Sequence, residues 1–153
     1  MKDPLQLQRE KVDQHIRLEN AHQWQAVQET FTATGNAFFD LVPFSARLPG
    51  LAGVTQAYEI LSTALPDVTI RVNSAYDVPG CSIRELTVSG THQGDYSGAL
   101  PLGKRVSIEM ACFFLFGMGE DEGQLIAERV YFDNETLLRQ MRGEENAPTG
   151  IGL

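Results

Sequence analysis

A single carboxylate interrupts an apolar row near the end of the chain. Residues 124–133 read Gln-Leu-Ile-Ala-Glu-Arg-Val-Tyr-Phe-Asp. If this stretch forms a β-strand, Ile126, Glu128, Val130 and Phe132 share one face, because side chains alternate. A carboxylate in such a row must be paired, neutralised or placed at a wet cavity, since burial penalises its charged form. Glu128 is therefore the first candidate for chemistry, as a general acid or base at a pocket or, alternatively, as a structural ion pair.

Two further residues could act with Glu128. His92 ends a strand-like segment in register with Leu86 and Val88, where its ring could donate to a substrate oxygen or bond to the backbone of the next loop. Asp133 follows the Glu128 strand and could supply a second carboxylate. Its place before Asn-Glu-Thr-Leu-Leu is also typical of a helix N-cap, which is the interpretation we favour.

Side chains that could bind a substrate come from other segments. Asn20 and Glu19 lie on or beside the apolar stripe of a first predicted helix. Asn20 could orient a carbonyl and Glu19 could share a proton with a partner carboxylate; the alternative for both is a bond across to the sheet. Tyr58 could offer a phenol hydroxyl from a second helix. The pocket wall, or otherwise plain core, is predicted to include Met110, Cys112, Phe114 and Val130.

Helices occupy the first part of the chain. Residues 4–33 predict one long helix, because Leu5, Val12, Ile16, Val27 and Phe31 share a face at about 100° per residue. A short strand at 37–42 and a loop at 44–53 lead to a second helix over about residues 52–64. The first helix would thus carry Glu19 and Asn20, and the second would carry Tyr58.

After residue 66 the apolar period changes from helical to two. Strands are predicted over 68–76, 82–92, 104–116 and 124–133, joined as hairpins, and a short helix over 135–141. Helices followed by consecutive strands indicate an α+β fold. We expect a strongly curved antiparallel sheet with the long N-terminal helix packed across it and an internal pocket between them.

Composition narrows the class of protein. A chain of 153 residues is most simply a single domain, 1–153. The net charge of −8 without a Lys/Arg cluster argues against nucleic acid and membrane partners. The N-terminal residues lack the apolar segment of a signal peptide, so we expect a cytoplasmic protein. The histidines and cysteines form no metal-binding motif and no nucleotide fingerprint is present, so neither metal nor cofactor is expected.

One predicted strand is apolar on both faces. Ala111, Phe113 and Leu115 alternate with the inward row of the 104–116 strand. An apolar outer face needs cover, and in a chain of this length a second subunit is the simplest cover. The sequence therefore predicts a homodimer.

Several segments in combination resemble the SnoaL-like polyketide cyclase family of the nuclear transport factor-like superfamily. They are Gly-Thr-His-Gln-Gly at 90–94, Gly-Ala-Leu-Pro-Leu-Gly-Lys at 98–104, Glu-Arg-Val-Tyr-Phe-Asp at 128–133 and Leu-Leu-Arg-Gln-Met at 137–141. The resemblance covers a core of about residues 8–142 and leaves a tail at 143–153. It implies a cone-shaped α+β barrel with an open apolar pocket, and relatives that include cyclases, ketosteroid isomerase-like enzymes, epoxide hydrolases and non-catalytic binding modules.

The chain departs from the cyclase pattern at the positions that matter most. The resemblance places the catalytic Asp of the cyclases three residues before Asp133, where this chain has Val130. The Gln and His that the preceding strand contributes in those cyclases correspond to Met110 and Cys112. We therefore expect a cofactor-free, acid/base enzyme for an apolar carbonyl-bearing or cyclic substrate that uses Glu128 instead. The alternative is a non-catalytic small-molecule-binding or dimeric interaction module of the same fold.

Overall fold

A six-stranded sheet and four helices make up the computed structural model, which describes residues 1–144. The helices are α1 (Pro4–Asn20), α2 (Trp24–Gln28), α3 (Gly50–Ala64) and α4 (Asn134–Met141). The strands are β1 (Phe38–Leu41), β2 (Ala46–Pro49), β3 (Thr69–Val78), β4 (Cys81–Thr91), β5 (Arg105–Phe116) and β6 (Leu125–Phe132). Most of the predicted tail at 143–153 lies outside the described residues.

The sheet confirms the α+β prediction. Its strand order is β2-β1-β6-β5-β4-β3. The hairpins β3–β4, β4–β5 and β5–β6 are antiparallel, as expected, whereas β1 pairs with β6 in parallel. The sheet is curved and does not close. The β1–β6 pairing matters for the site because it places Phe39 directly beside Glu128.

The predicted helix over residues 4–33 is in fact two helices. Asp3 caps α1 by accepting from the backbone of Gln6, and the helix ends after Asn20. His22 then adopts a left-handed conformation with φ 55°. Backbone bonds from His22 to Glu19 and from Gln23 to Leu18 complete a Schellman motif. The break escaped prediction because this position is usually glycine, whereas here a histidine occupies it.

The predicted loop at 44–53 contains a short strand. β2 is an edge strand of four residues that ends in Pro49, which gave no strand signal. Gly50, with φ 70°, turns the chain directly into α3. A Cβ at Gly53 would lie 2.2 Å from the Leu48 carbonyl carbon, so only glycine lets α3 pack this closely on β2.

The alternation of β6 is interrupted near its start. Between Leu115 and Phe116 the register of β5 against β6 shifts by one residue. As a result Leu125, not the predicted Ile126, belongs to the buried core, while Glu128 and Val130 keep their predicted inward parity. This register shift therefore removes Ile126 from the predicted inward row and leaves Glu128 and Val130 in it.

The outer face of the sheet carries a partly exposed apolar patch. Ala111, Phe113 and Leu115 are half-buried, and Tyr131 packs edge-on against Phe113 with ring centroids 5.5 Å apart.

Within residues 1–144, no helix combines the length and the hydropathy needed to cross a membrane.

Candidate functional site

A cavity of about 450 Å³ lies between one face of the sheet and the helices α3 and α4. Its lining is almost entirely hydrocarbon and aromatic, which is typical of small-molecule sites. The polar side chains that line it belong to Glu19, Gln56, Tyr58, Tyr96, Ser97, Cys112 and Glu128. In the described part of the chain, no Lys, Arg or His side chain contributes to this lining.

Glu128 lies at this cavity on β6, only 3% exposed, between Phe114 of β5 and Phe39 of β1. Two neutral groups donate to its carboxylate. The hydroxyl of Tyr58 is 2.7 Å from Oε2, and the thiol of Cys112 is 3.4 Å from Oε1. A buried carboxylate that accepts such bonds is held in one orientation while part of it still faces the cavity.

His15 joins α1 to the same cluster and is fully buried. Its Nε2 atom lies 3.0 Å from the Tyr58 hydroxyl, 3.3 Å from Oε1 of Glu19 and 3.4 Å from Oε1 of Glu128. Its Nδ1 atom lies 2.7 Å from the hydroxyl of Thr30. The ring also packs edge-on against Phe114, with centroids 5.2 Å apart.

The hydrogen-bond network assigns the protons of this cluster. Thr30 donates its hydroxyl proton to the carbonyl oxygen of Val27 at 2.6 Å, so it must accept from Nδ1–H of His15. Tyr58 donates its single proton to Glu128. The Nε2 atom of His15 then faces only oxygens, and those contacts are attractive only if one proton lies on Nε2 or on Glu19. We therefore assign one proton to the His15–Glu19 pair.

Burial reinforces that assignment. It raises the pKa of Glu19 well above its ordinary value, and the nearby charge of Glu128 raises it further. Burial, followed by the charge of Glu128, also raises the pKa of the Tyr58 hydroxyl and of the Cys112 thiol. Tyr58 and Cys112 therefore stay neutral donors, and the site contains a proton-holding carboxyl beside a proton-accepting one.

The same three groups could hold a metal ion. The donor atoms of His15, Glu19 and Glu128 all lie within 4.8 Å of one another. Ligands bonded at about 2.1 Å around a tetrahedral ion are roughly 3.4 Å apart, which resembles the separations seen here. Because a shared proton accounts for the same distances, the geometry alone does not require a metal.

Some of the predicted site residues come together at the cavity. Glu19, Tyr58, Met110, Cys112, Glu128 and Val130 all line it. Phe114 is a correction: it is fully buried against His15 and does not appear among the described lining residues, because the His15 ring fills the space in front of it.

Three other predicted residues do not line the described cavity, which corrects their assignment to the site and confirms the favoured N-cap interpretation of Asp133. Asn20 bonds to both backbone groups of Ile70 and ties α1 to β3, as its alternative interpretation held. Asp133 caps α4 by accepting from the backbone of Glu135 and Thr136. His92 is fully buried, and neither ring nitrogen has a hydrogen-bond partner among the described residues.

His15 is the site residue that sequence analysis missed. The signal was present, since His15 and Glu19 are spaced i, i+4 and therefore share a helix face. The periodicity of α1 drew attention to Ile16 and its apolar neighbours instead. Only the packing of α1 across the sheet shows that this face meets Glu128.

The curved sheet, the helices across it and the apolar cavity define the ketosteroid isomerase-like class of α+β fold. The sequence model for the SnoaL-like polyketide cyclase family matches residues 10–141, and the chain therefore belongs to that family. None of the curated proteins matches the chain significantly.

Solved structures show the same fold at low sequence identity. AclR from Streptomyces galilaeus, a proposed hydroxylase, is 17% identical with a TM-score of 0.77, over 95% of this chain and 87% of AclR. A proposed SnoaL-like polyketide cyclase from Jannaschia sp. CCS1 is 16% identical with a TM-score of 0.76, over 95% and 99%. SalBIII, an epoxide hydrolase/cyclase-like enzyme in pyran ring formation of salinomycin, is 22% identical with a TM-score of 0.70, over 86% and 94%.

Proposed function

We propose that this protein is a cofactor-free enzyme that transfers protons on an apolar carbonyl-bearing or cyclic small molecule in the cavity. The observation that carries the proposal is the convergence of Glu128, Tyr58, His15 and Glu19 at the end of an otherwise apolar cavity. A carboxylate and a protonated acid in such an environment are the two groups that general acid–base catalysis requires.

Glu128 is the proposed base. Its carboxylate would remove a proton from the carbon next to a substrate carbonyl; the electron pair of that C–H bond would form a C=C bond, and the π pair of the carbonyl group would move to its oxygen. The proton shared by Glu19 and His15 would then pass to that oxygen, which gives the enol without net loss of protons. Attack of the enol carbon on a second carbonyl carbon would close a ring, while the enol O–H proton returns to Glu19 and the proton held by Glu128 passes to the new alkoxide. In an isomerisation, Glu128 would instead return its proton to a different carbon, and Glu19 would recover the enol proton.

The position of Glu128 supports a reacting carbon at a different place along β6 from that in the cyclases. By resemblance, their catalytic Asp corresponds to Val130, which lines the same cavity here. Glu128 lies two residues earlier on the same strand, and two residues of a strand span roughly 7 Å. The reacting carbon would therefore lie about that far along β6 from the place where the cyclases act.

The proposed reaction is testable without a known substrate. In D₂O the protein should catalyse deuterium incorporation next to the carbonyl of apolar cyclic ketones such as 2-decalone and 1-tetralone, measured by NMR. Glu128→Gln should abolish this exchange, while Glu59→Gln, which removes a carboxylate from the exposed face of α3, should leave it unchanged. Absence of exchange across the ketone panel, or full exchange in Glu128→Gln, would remove the proposed role of Glu128.

A non-catalytic binding module is the second candidate. It is favoured by one observation, namely that Val130, Met110 and Cys112 occupy the positions that correspond to the catalytic Asp, Gln and His of the cyclases. Native mass spectrometry of the protein purified from its host tests this candidate. A tightly held ligand that the protein releases unaltered, together with no exchange activity, would favour binding over catalysis.

We further propose that the protein acts as a cytoplasmic homodimer without nucleic acid or membrane partners. The apolar patch formed by Ala111, Phe113, Leu115 and Tyr131 would lie between the two subunits. Its place on the outer face of the sheet leaves the cavity on the other side free.

A further inference from the structure

The described cavity lining contains two carboxyl groups and no basic side chain that could balance them. Its described lining includes the carboxyl groups of Glu19 and Glu128 but no Lys, Arg or His. The arginines nearest the sheet bond to aspartates. Arg47 and Arg129 bond to Asp40. Arg84 is buried on the inner face of the sheet, opposite Cys112, but it bonds to Asp77 and does not belong to the described lining.

The contacts of Glu128 leave its carboxylate accepting from neutral groups on two sides. The groups that face it from α3 and β5 are the hydroxyl of Tyr58 and the thiol of Cys112, both neutral donors. From α1, Nε2 of His15 lies 3.4 Å from Oε1 of Glu128 and 3.3 Å from Oε1 of Glu19, so a single imidazole faces two carboxyl groups. These carboxyl groups lie at the boundary of an apolar space where charges are weakly screened.

A ligand that enters this space has to suit both the carboxylate of Glu128 and the apolar walls. An anionic ligand would lose its hydration and meet a like charge, which is unfavourable. A neutral ligand would fill the apolar volume but leave Glu128 without a counter-charge. A cation on a hydrocarbon body would satisfy both requirements, since its N–H groups can donate to the carboxylate.

The aromatic lining strengthens the preference for a cation. Rings from Phe39, Phe44, Tyr96 and Phe132 line the cavity together with that of Tyr58. Phe39 lies beside Glu128 across the β1–β6 pairing, and its ring packs edge-on against Tyr58 at 5.7 Å. The faces of aromatic rings attract alkylammonium groups, and the attraction grows when water is excluded.

We propose that the natural ligand of this cavity is a hydrophobic amine bound as its ammonium ion, with the nitrogen at Glu128 and the hydrocarbon body against the apolar walls. This names a substrate class for the proposed function, and it relies on that proposal only for the location of the site. In the reaction, one oxygen of Glu128 would hold the ammonium group while its other oxygen removes the proton from carbon, and Glu19 would supply the proton for the carbonyl oxygen.

Three probes of nearly the same shape separate charge from hydrophobicity. They are 1-adamantanemethylamine, 1-adamantanemethanol and 1-adamantanecarboxylate, titrated at pH 7 by calorimetry. The amine should bind at least about tenfold more tightly than the alcohol, which corresponds to about 1.4 kcal/mol, and the carboxylate should bind most weakly. Equal affinity for amine and alcohol, tighter binding of the carboxylate, or no binding of the amine at millimolar concentration would overturn the proposal.

Variants test whether Glu128 is responsible for the preference for the amine. Glu128→Gln should reduce the preference for the amine over the alcohol to about twofold or less without weakening the alcohol. Glu59→Gln, which removes a carboxylate outside the described lining, should retain the full preference. If Glu128→Gln unfolds, Glu19→Gln provides the second test: the amine preference should persist, because Glu19 already carries a proton. An amine preference that is unchanged in Glu128→Gln would contradict the proposal.

The two proposals can fail separately. Ketone exchange without an amine preference would support the proton-transfer function and contradict the amine as the ligand class. An amine preference without exchange would leave the ligand class and support the binding-module alternative.

Discussion

The hydroxyl of Tyr58 lies between two partners, 2.7 Å from Oε2 of Glu128 and 3.0 Å from Nε2 of His15. A single oxygen from α3 thereby connects a carboxylate of β6 with an imidazole of α1. Because both contacts are buried, this one group contributes to the fold and would contribute to the proposed chemistry of the site.

Tyr58→Phe should therefore reduce both stability and activity. Loss of the hydroxyl removes a donor from Glu128 and leaves its carboxylate partly unsatisfied, at a cost of about 1–3 kcal/mol. Ketone exchange should fall as well, because Glu128 loses the bond that orients it. Chemical denaturation and NMR exchange measure the two effects. Tyr76→Phe, at an exposed position of β3, is the control, and equal behaviour of both variants would contradict the bridging role.

His15→Phe should abolish the exchange of apolar ketones while retaining the shape of the core. The variant keeps the ring that packs on Phe114 but loses both nitrogens, and with them the partner of the Glu19 proton. We expect a loss of about 2–4 kcal/mol in unfolding free energy, since Thr30 and Glu19 lose buried partners. His15→Gln, which can still donate or accept, should recover part of the activity. Retained exchange in a folded His15→Phe variant would indicate that His15 acts only as packing.

The dependence of stability on pH should reveal the state of Glu19. Its pKa is raised by burial and by Glu128, so the folded protein binds a proton there that the unfolded chain has released. Stability must therefore fall as pH rises from the ordinary carboxyl pKa through the raised folded value, by at most about 1.4 kcal/mol per pH unit. Glu19→Gln should lack this fall. Parallel stability–pH curves for the two proteins above pH 5 would show that Glu19 is ionised in the folded state.

His92→Leu should not reduce stability and should leave ketone exchange within about twofold of the original rate. The two ring nitrogens are buried without a described partner, and an unsatisfied buried polar group costs about 1–3 kcal/mol. A leucine of similar volume removes that cost, so the melting temperature should rise or stay the same. Loss of exchange in a folded variant would return His92 to the catalytic mechanism.

The proposed dimer can be tested through the outer face of the sheet. Phe113→Glu places a charge within the apolar patch that Phe113 and Tyr131 share. Light scattering should give twice the chain mass of 16.9 kDa for the unmodified protein and the single mass for the variant. Glu85→Gln, on an exposed position of β4, should remain dimeric. A monomer mass for the unmodified protein at micromolar concentration would refute the dimer.

Local patterns predicted most elements of the fold but not the contacts between them. The alternation along β5 and β6 correctly indicated inward positions for Cys112, Glu128 and Val130, because strand geometry has a fixed period. The turn at His22 and the four-residue β2 had no strong local signal. The parallel pairing of β1 with β6 joins distant segments, so no periodicity within either segment could show it.

The composition of the site depended on those long-range contacts. Glu128, Glu19 and Tyr58 were recognisable as polar groups on apolar faces. Their hydrogen bonds were not predictable, since α1, α3 and β6 meet only after the sheet curves. Asn20 shows the converse case: its polar side chain interrupted an apolar stripe for the structural reason that it anchors α1 to β3.

If Glu128 is the reactive acid, the two-residue period of β6 would allow such an acid to change position along the strand within the same scaffold. Both Glu128 and Val130 point inward, so a carboxylate could occupy either position while β6 keeps its neighbouring strands. A change of the carboxylate from one of these positions to the other would shift the point of attack along a bound molecule by roughly 7 Å. Regiochemistry in these proteins could therefore evolve through a pair of substitutions on one strand.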